Sequence, residues 1–473
     1  MYMRLINKPI FILSLISILG SCDLTIKSDN PNVDIVIEAD HILTMNSKDE
    51  ILNGSAIAIK DGIILDIDAK EIIQKKYEAK IIITGEQRII MPGLINGHSH
   101  AAMTLLRGIA DDKSLIDWLN NYIFPLEKKF VSKEFVRVGT ELACWEMIRG
   151  GTTTFVDMYF YPDIIAEVAT RCGMRALVSS TVSDNQTPNA KNAEDALING
   201  ESFINRWKKK NSLITPILGP HAIYSMKLEQ LEQTRNLANN LNTPISIHLS
   251  ESQFESEFST QNYGMTSIEA LESINFFDGT TIAAHVVWPS DREIEILAKR
   301  NVGVVHNPTS NMKLSSGVAP ISKMIEAGVL VGLGTDGAAS NNDLDMWEEM
   351  RLASLLQKVT SMDPEVLPAI EVLRMATSNG AKIIGMDNEI GMIVEGMKAD
   401  VIQIAYDDVH HIPSYDIASH LVYVTDEQDV MNVIVDGKLI MHQREFLTLN
   451  TKKIKEEVTS ISNTIKETIN TNQ

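Results

Sequence analysis

Eight short apolar, β-rich runs alternate with helical patterns through the middle of this chain, and no other feature restricts its fold as much. The runs cover residues 88–95, 152–157, 175–181, 214–219, 245–249, 281–286, 302–306 and 330–335. Segments with apolar residues at helical spacing lie between them. The clearest is 132–149, where Phe135, Val138, Leu142, Trp145 and Ile148 share one face and Gly150-Gly151 ends the run. Residues 228–241 and 343–358 read the same way, and 369–384 reads as a further helix. Eight strand–helix units predict an α/β fold of the (β/α)8 barrel, or TIM barrel, type. A doubly wound open sheet is the runner-up, but its Gly-rich first turn is missing.

The flanks follow a different period. Residues 34–39 and 55–59 alternate as strands, and Asp61-Gly62 before Ile63 is a hairpin signal. Residues 400–404 and 432–440 repeat that pattern late in the chain. The two chain ends are therefore expected to build one small β-sandwich domain, from 33–88 and 386–447, around a metal-dependent barrel at 89–385. Residues 448–473 read as a C-terminal helix or tail.

Arg4 and Lys8 precede an apolar core at 11–18, the layout of a secretory signal and too short for a comfortable membrane span. Leu19-Gly20-Ser21-Cys22 resembles the bacterial lipobox. That resemblance implies a lipoprotein signal peptide at 1–22, lipidation at Cys22, a polar tether at 23–32, and a place in the bacterial cell envelope, held to a membrane by the lipid. A plain signal peptide or an uncleaved anchor are the alternatives. Of the three cysteines, Cys144 and Cys172 then remain, both in helix-like segments, and read as buried free thiols. The net charge of −20 argues against nucleic acid as a partner.

Residue types that carry chemistry collect where the strands should end. His98 and His100 close the first run, His221 follows the fourth, His248 and Glu251 the fifth, His285 the sixth and Asp336 the eighth. Side chains at i and i+2 of an extended segment share a face, so His98 and His100 can converge on one ion. In a barrel all these ends lie on one rim. His98, His100, His248 and Asp336 form a ligand set that suits Zn2+, with Fe2+ or Mn2+ as alternatives. Glu251, offset by three residues from His248, reads as an acid/base group, with orientation of a ligand as the bland alternative. His306 reads as structural. His41, His410, His411, His420 and His442 are given no role, and Asp111-Asp112 reads as a solvated loop.

Three stretches are distinctive: 92–100 (Pro-Gly-Leu-Ile-Asn-Gly-His-Ser-His), 306–314 (His-Asn-Pro-Thr-Ser-Asn-Met-Lys-Leu) and 334–342 (Gly-Thr-Asp-Gly-Ala-Ala-Ser-Asn-Asn). They resemble the amidohydrolase superfamily and, within it, the 5-methylthioadenosine/S-adenosylhomocysteine deaminase branch, alongside the chlorohydrolases. The resemblance spans residues 33–445. It implies one metal per subunit, since Gly219-Pro220-His221 holds no lysine where larger-nuclearity relatives carry a carboxylated one. It also implies hydrolytic deamination at C6 of an adenine, with Asp336 as proton acceptor from water, Glu251 protonating N1, and His285 steadying the attacking oxygen. Glu127 would hold the ribose hydroxyls, His221 would contact the nucleoside, and Trp118 would pack against the base or thioether. A homo-oligomer is in keeping with the family. Relatives that act on S-adenosylhomocysteine carry an arginine after strand three, where Ser180 stands here, and Lys191 is the nearest cation in the next loop. Loss of a bidentate contact weakens the hold on a carboxylate, which favours 5′-methylthioadenosine or adenosine. Deamination or dechlorination of guanine, a pterin or a triazine is the alternative enzyme reading. A non-catalytic metal- or nucleoside-binding lipoprotein is the other.

Overall fold

The computed structural model describes residues 30–471. The signal peptide, Cys22 and the tether up to residue 29 lie outside the described residues. No helix among those described is long and apolar enough to cross a membrane.

Eight parallel strands form the central sheet: β1 (Leu94–Ser99), β2 (Thr152–Tyr159), β3 (Arg175–Val182), β4 (Ile214–Pro220), β5 (Ile245–Leu249), β6 (Thr281–His285), β7 (Gly303–His306) and β8 (Leu330–Leu333). They pair in sequence order. A parallel bridge between Ser99 and Asp336 brings the last strand back to the first, with the Asp336 N–H donating to the His98 carbonyl at 3.0 Å. The barrel thus closes through two predicted metal ligands. Asn96 staples the same seam: its amide donates to Thr335 Oγ1 at 2.7 Å and accepts from the Thr335 N–H at 3.1 Å.

Ile95, Val156, Leu177, Ile217, Ile282 and Val305 form one buried cluster inside the barrel. Ile383 plugs the end where the strands begin. It comes so close to Gly303 and Gly332 that a Cβ on either would lie within 2.7 or 2.9 Å of its side chain. Helices Lys133–Arg149 and Leu228–Leu241 match their apolar spacing. The run at 369–384 is two helices, Ala369–Met375 and Ser378–Ile383. Thr377, at φ −135° and ψ −94°, breaks the ladder between them.

Both chain ends build one nine-stranded mixed sheet. Its order runs Glu445–Phe446, Lys438–His442, Val430–Val435, Val401–Ala405, Arg88–Pro92, Asn32–Leu43, Ile51–Lys60, Ile63–Ala69, with Glu78–Ile83 also pairing with Asn32–Leu43. Both faces are covered: Ile35, Ile37, Ile57 and Ile59 pack on one side, Val36, Ala58 and Ile73 on the other. Asp61 and Gly62, at φ 50° and 82°, make the hairpin turn read from the sequence. The run at 88–95 is not a single strand. Arg88–Pro92 belongs to this sheet, and β1 begins only after Gly93. A Cβ on Gly93 would lie 2.1 Å from the Thr153 side chain, so the crossing point admits no larger residue. Cys144 and Cys172 are buried free thiols. The C-terminal stretch is a helix, Thr451–Thr471, with Ile454 and Ile465 buried.

Candidate active site

His98 and His100 leave β1 where its pairing with β2 is irregular, between Asn96 and Ser99. Such irregularities re-aim side chains at barrel rims. The His100 Nδ1–H donates to the Met158 carbonyl, and the His248 Nδ1–H donates to the His221 carbonyl at 2.8 Å. Both rings therefore turn Nε2 inward, and the two Nε2 atoms lie 3.2 Å apart. Asp336 Oδ1 is 3.1 Å from His100 Nε2 and 3.5 Å from His98 Nε2. Its Oδ2 accepts from Ser310 Oγ at 2.6 Å and Ser340 Oγ at 2.8 Å, which fixes the carboxylate.

These groups fit a divalent cation. His98 is wholly buried, yet neither ring nitrogen has a hydrogen-bond partner. An orphaned buried imidazole is costly unless something outside the protein satisfies it. The donor atoms of His98, His100 and His248 lie within 4.8 Å of one another, as do those of His98, His285 and Asp336. Burial alone would make His100 hard to protonate, but the Asp336 carboxylate opposite outweighs it and holds the ring's pKa at about 9. That carboxylate would hold a cation in the same way, displacing the proton. Burial likewise works against an ionised Asp336, and the His100 and His98 rings beside it outweigh that, keeping the carboxyl well below the usual range.

Glu251 is 4% exposed, and burial raises its carboxyl above the ordinary range. Its Oε2 is 3.9 Å from His285 Nε2. His285 Nδ1 lies 2.8 Å from Asn311 Oδ1, an acceptor that leaves Nε2 facing the cavity. Ser250, His285, Val286 and Asp336 all have left-handed backbones, at φ 51°, 76°, 44° and 61°. Each costs about 1–2 kcal/mol, and such strain gathers where function requires a geometry. Glu255 supports the Glu251 turn by accepting from the N–H groups of Ser250 and Glu251, at 2.7 and 3.2 Å.

One cavity joins these groups to Glu127, His221 and Trp118. Glu127 Oε1 accepts from the Tyr159 hydroxyl at 2.7 Å. Burial pushes the Glu127 carboxyl up to about 7, against the pull of Tyr159. His221 Nδ1 lies 3.0 Å from Ser225 Oγ, and burial lowers its pKa to about 4. Trp118 ends the helix Leu115–Trp118, and a π-helical turn, Leu119–Ile123, separates it from the helix that carries Glu127. Such turns occur frequently at functional sites. The rest of this wall is apolar: Leu115, Leu119, Ile123, Phe124 and Phe160.

Ser180 is not in the cavity. On β3, Leu177 points into the barrel, so Thr181 does too and lines the pocket, while Ser180 faces Gly200 of the helix Ala193–Trp207. The lack of a cation is instead a property of the whole cavity wall: among the described residues no lysine or arginine lines it, and Lys191 is exposed outside it. His306 is buried and belongs to neither ligand group at the rim. The sequence reading missed Asn96, Tyr159, Glu255, Ser310, Asn311 and Ser340. Ser310 and Asn311 sat inside a motif already noted at 306–314, and Ser340 inside the one at 334–342.

The amidohydrolase family model matches residues 89–440. A 5-methylthioadenosine/S-adenosylhomocysteine deaminase of Thermodesulfovibrio yellowstonii is 44% identical over 408 residues, covering 86% of this chain and 93% of that one. A 5′-deoxyadenosine deaminase of Methanosarcina barkeri is 42% identical over 425 residues, covering 90% and 96%. Among solved structures, a zinc-bound adenosine deaminase from Xanthomonas campestris superposes with a TM-score of 0.91 at 33% identity, over 93% of this chain and 100% of that one.

Proposed function

The chain belongs to the amidohydrolase family, and on that premise we propose that it is a zinc-dependent hydrolytic deaminase of adenosine derivatives whose 5′ end is uncharged: 5′-methylthioadenosine, 5′-deoxyadenosine or adenosine. One observation carries this reading. Glu251, His285, Asp336 and Glu127 share a cavity whose wall is largely apolar and, among the described residues, holds no lysine or arginine. S-Adenosylhomocysteine would bring a carboxylate into that cavity with no cation to meet it.

His98, His100, His248 and Asp336 would hold the cation. When bound, it supplies the Lewis acidity that brings a water's pKa to about 7. Asp336, kept ionised by its histidine neighbours, accepts the proton of the attacking water. Glu251, whose carboxyl burial raises above the ordinary range, donates to N1 of the purine and so lets C6 become tetrahedral. His285 Nε2 faces the same space and holds the attacking oxygen in line. Asp336 then passes its proton to the departing amine, the C6 hydroxyl returns a proton to the Glu251 carboxylate as the C6 carbonyl forms, and ammonia and an inosine derivative leave. The Glu127 carboxylate accepts from the ribose hydroxyls, His221 contacts the nucleoside, and Trp118 packs on the base or thioether side.

The test is deamination followed by ultraviolet absorbance, with the chain from Asp23 loaded with Zn2+. Turnover of the three uncharged nucleosides, at least tenfold weaker action on S-adenosylhomocysteine, and a dead Glu251→Gln control are expected. Silence on every adenosine would sink the substrate class and turn attention to guanine and triazines.

The envelope location rests on the Leu19-Gly20-Ser21-Cys22 stretch, and we propose acylation at Cys22 on that ground. Metabolic labelling with a fatty acid, lost in Cys22→Ser, is the expected result. An unlabelled wild-type chain in the cytoplasm would overturn it.

A further inference from the structure

A second group of ligand-type side chains lies outside the barrel mouth, and none of its members lines the catalytic cavity. Three short segments ahead of the strand Val430–Val435 bring it together. They are the turn Val409–His411, the helix Ile417–Tyr423 and the turn Glu427–Asp429. His410 Nε2 lies 3.1 Å from both carboxylate oxygens of Asp429, and His411 Nε2 lies 3.2 Å from its Oδ2. The two rings are 4.2 Å apart. The His420 ring stacks 5.9 Å from that of His411, and its Nδ1–H donates to the Asp416 carbonyl, which leaves Nε2 unclaimed by that bond.

Two observations separate this group from an ordinary surface ion pair. First, His411 is 1% exposed, yet neither of its ring nitrogens makes a hydrogen bond; its approach to Asp429 is close but misaligned. That is the condition of His98 at the catalytic rim. Second, the surroundings favour a cation. Asp408 and Asp426 cap the same two turns, adding negative charge beside Asp429. The neighbouring Arg444 spends its Nη1 on the carbonyls of Glu427, Gln428 and Val430. Asp429 Oδ2 also accepts from the Asp426 N–H at 2.9 Å, which fixes the carboxylate. His410 is exposed, so the group is open to solvent on one side.

We propose that His410, His411 and Asp429 form a second metal site, for a borderline divalent cation of the Zn2+ class, with His420 or water completing the shell. Two imidazoles and a carboxylate are a donor set that such ions prefer over Mg2+ or Ca2+. The donor atoms lie within 4.8 Å of one another, close enough for one ion. Bound there, the ion ties the turn at 409–411 to the turn at 427–429 and so fastens the entry to a strand of the nine-stranded sheet. The reaction at the barrel mouth does not depend on it.

The test counts metal. The full chain is stripped with chelator, reloaded with Zn2+ and desalted, and its zinc is measured; a parallel titration with Co2+ is followed by visible absorption. The wild type is expected to keep two equivalents. His410→Ala and Asp429→Asn are each expected to keep one, with nucleoside turnover within twofold of wild type. His410 is exposed, and asparagine can still accept from the Asp426 N–H, so neither variant should threaten folding. His100→Ala is expected to keep the second equivalent and its Co2+ spectrum. A wild type that holds a single equivalent, or variants that still hold two, would overturn the proposal.

Discussion

The two ends of the catalytic cavity are made of different material. The end proposed for the metal is built from strand termini of a closed parallel barrel, and three of its four candidate ligands are held by a second group: the Met158 carbonyl on His100, the His221 carbonyl on His248, and Ser310 and Ser340 on Asp336. The nucleoside end is built largely from residues 101–130, a chain of short helices and a π-helical turn laid over the rim. Its polar fixture is the Glu127–Tyr159 pair. The first end has geometry that the barrel enforces. The second can change composition without disturbing the sheet, so the reaction type is set by one and the substrate by the other.

This contrast predicts which kinetic parameter each substitution moves. The largest effect is expected for Glu251→Gln, where loss of the acid should lower kcat by ~10³-fold, within the usual range for general acid–base groups, with KM little changed. Asn311→Ala removes the acceptor that orients His285 and should lower kcat by roughly 10–100-fold, as loss of an orienting partner does. Both belong to the metal end, and a rise confined to KM in either would break the comparison. At the other end, Glu127→Gln should raise KM by roughly 10–100-fold, since hydrogen bonds to a charged group contribute about 1.5–3 kcal/mol, and kcat should hold. A collapse in kcat there would mean the two ends are not separable.

The smallest effects sharpen the picture through pH. Glu127 is protonated below about 7 in the free enzyme, so affinity should fall as pH drops through that value. Tyr159 lowers the Glu127 pKa, so Tyr159→Phe should move this acid limb upward and raise KM by a few-fold. Glu251 has the opposite sign. Its raised carboxyl must stay protonated to donate, so kcat should fall as pH rises through its pKa. A pH–rate profile of the wild type and Tyr159→Phe checks both limbs together.

The metal end was the legible end. Histidines and an aspartate closing apolar runs are visible as letters, because a strand's end is where a barrel keeps its chemistry. The wall was not legible, because its phase depends on register. Ser180 and Thr181 are adjacent, and only the inward direction of Leu177 decides that Thr181 lines the cavity. A slip of one residue exchanges the faces of a strand, and apolar content alone cannot fix it in a strand buried on both sides. Tyr159 escaped notice for a related reason. An aromatic residue at the end of an apolar run looks like core until Glu127, from another segment, arrives at its hydroxyl. The run at 88–95 hid a change of sheet because its apolar residues serve two different cores, with Ile90 in one and Ile95 in the other.

That change of sheet has a consequence for how the molecule is made. His98 stands only a few residues past Pro92, which pairs with Val401, and the Gly93 N–H donates to the Asp400 carbonyl at 3.0 Å. Asp400 in turn is clamped by the buried Arg175, at 2.8 and 3.1 Å. The strand that bears His98 and His100 is thus moored to a segment translated near the end of synthesis, and its seam partner Asp336 also emerges late. A nascent chain carries His98 and His100 for most of its time on the ribosome without a frame to aim them. The frame that aims them is complete only once Asp336, Asp400 and Val401 have all emerged.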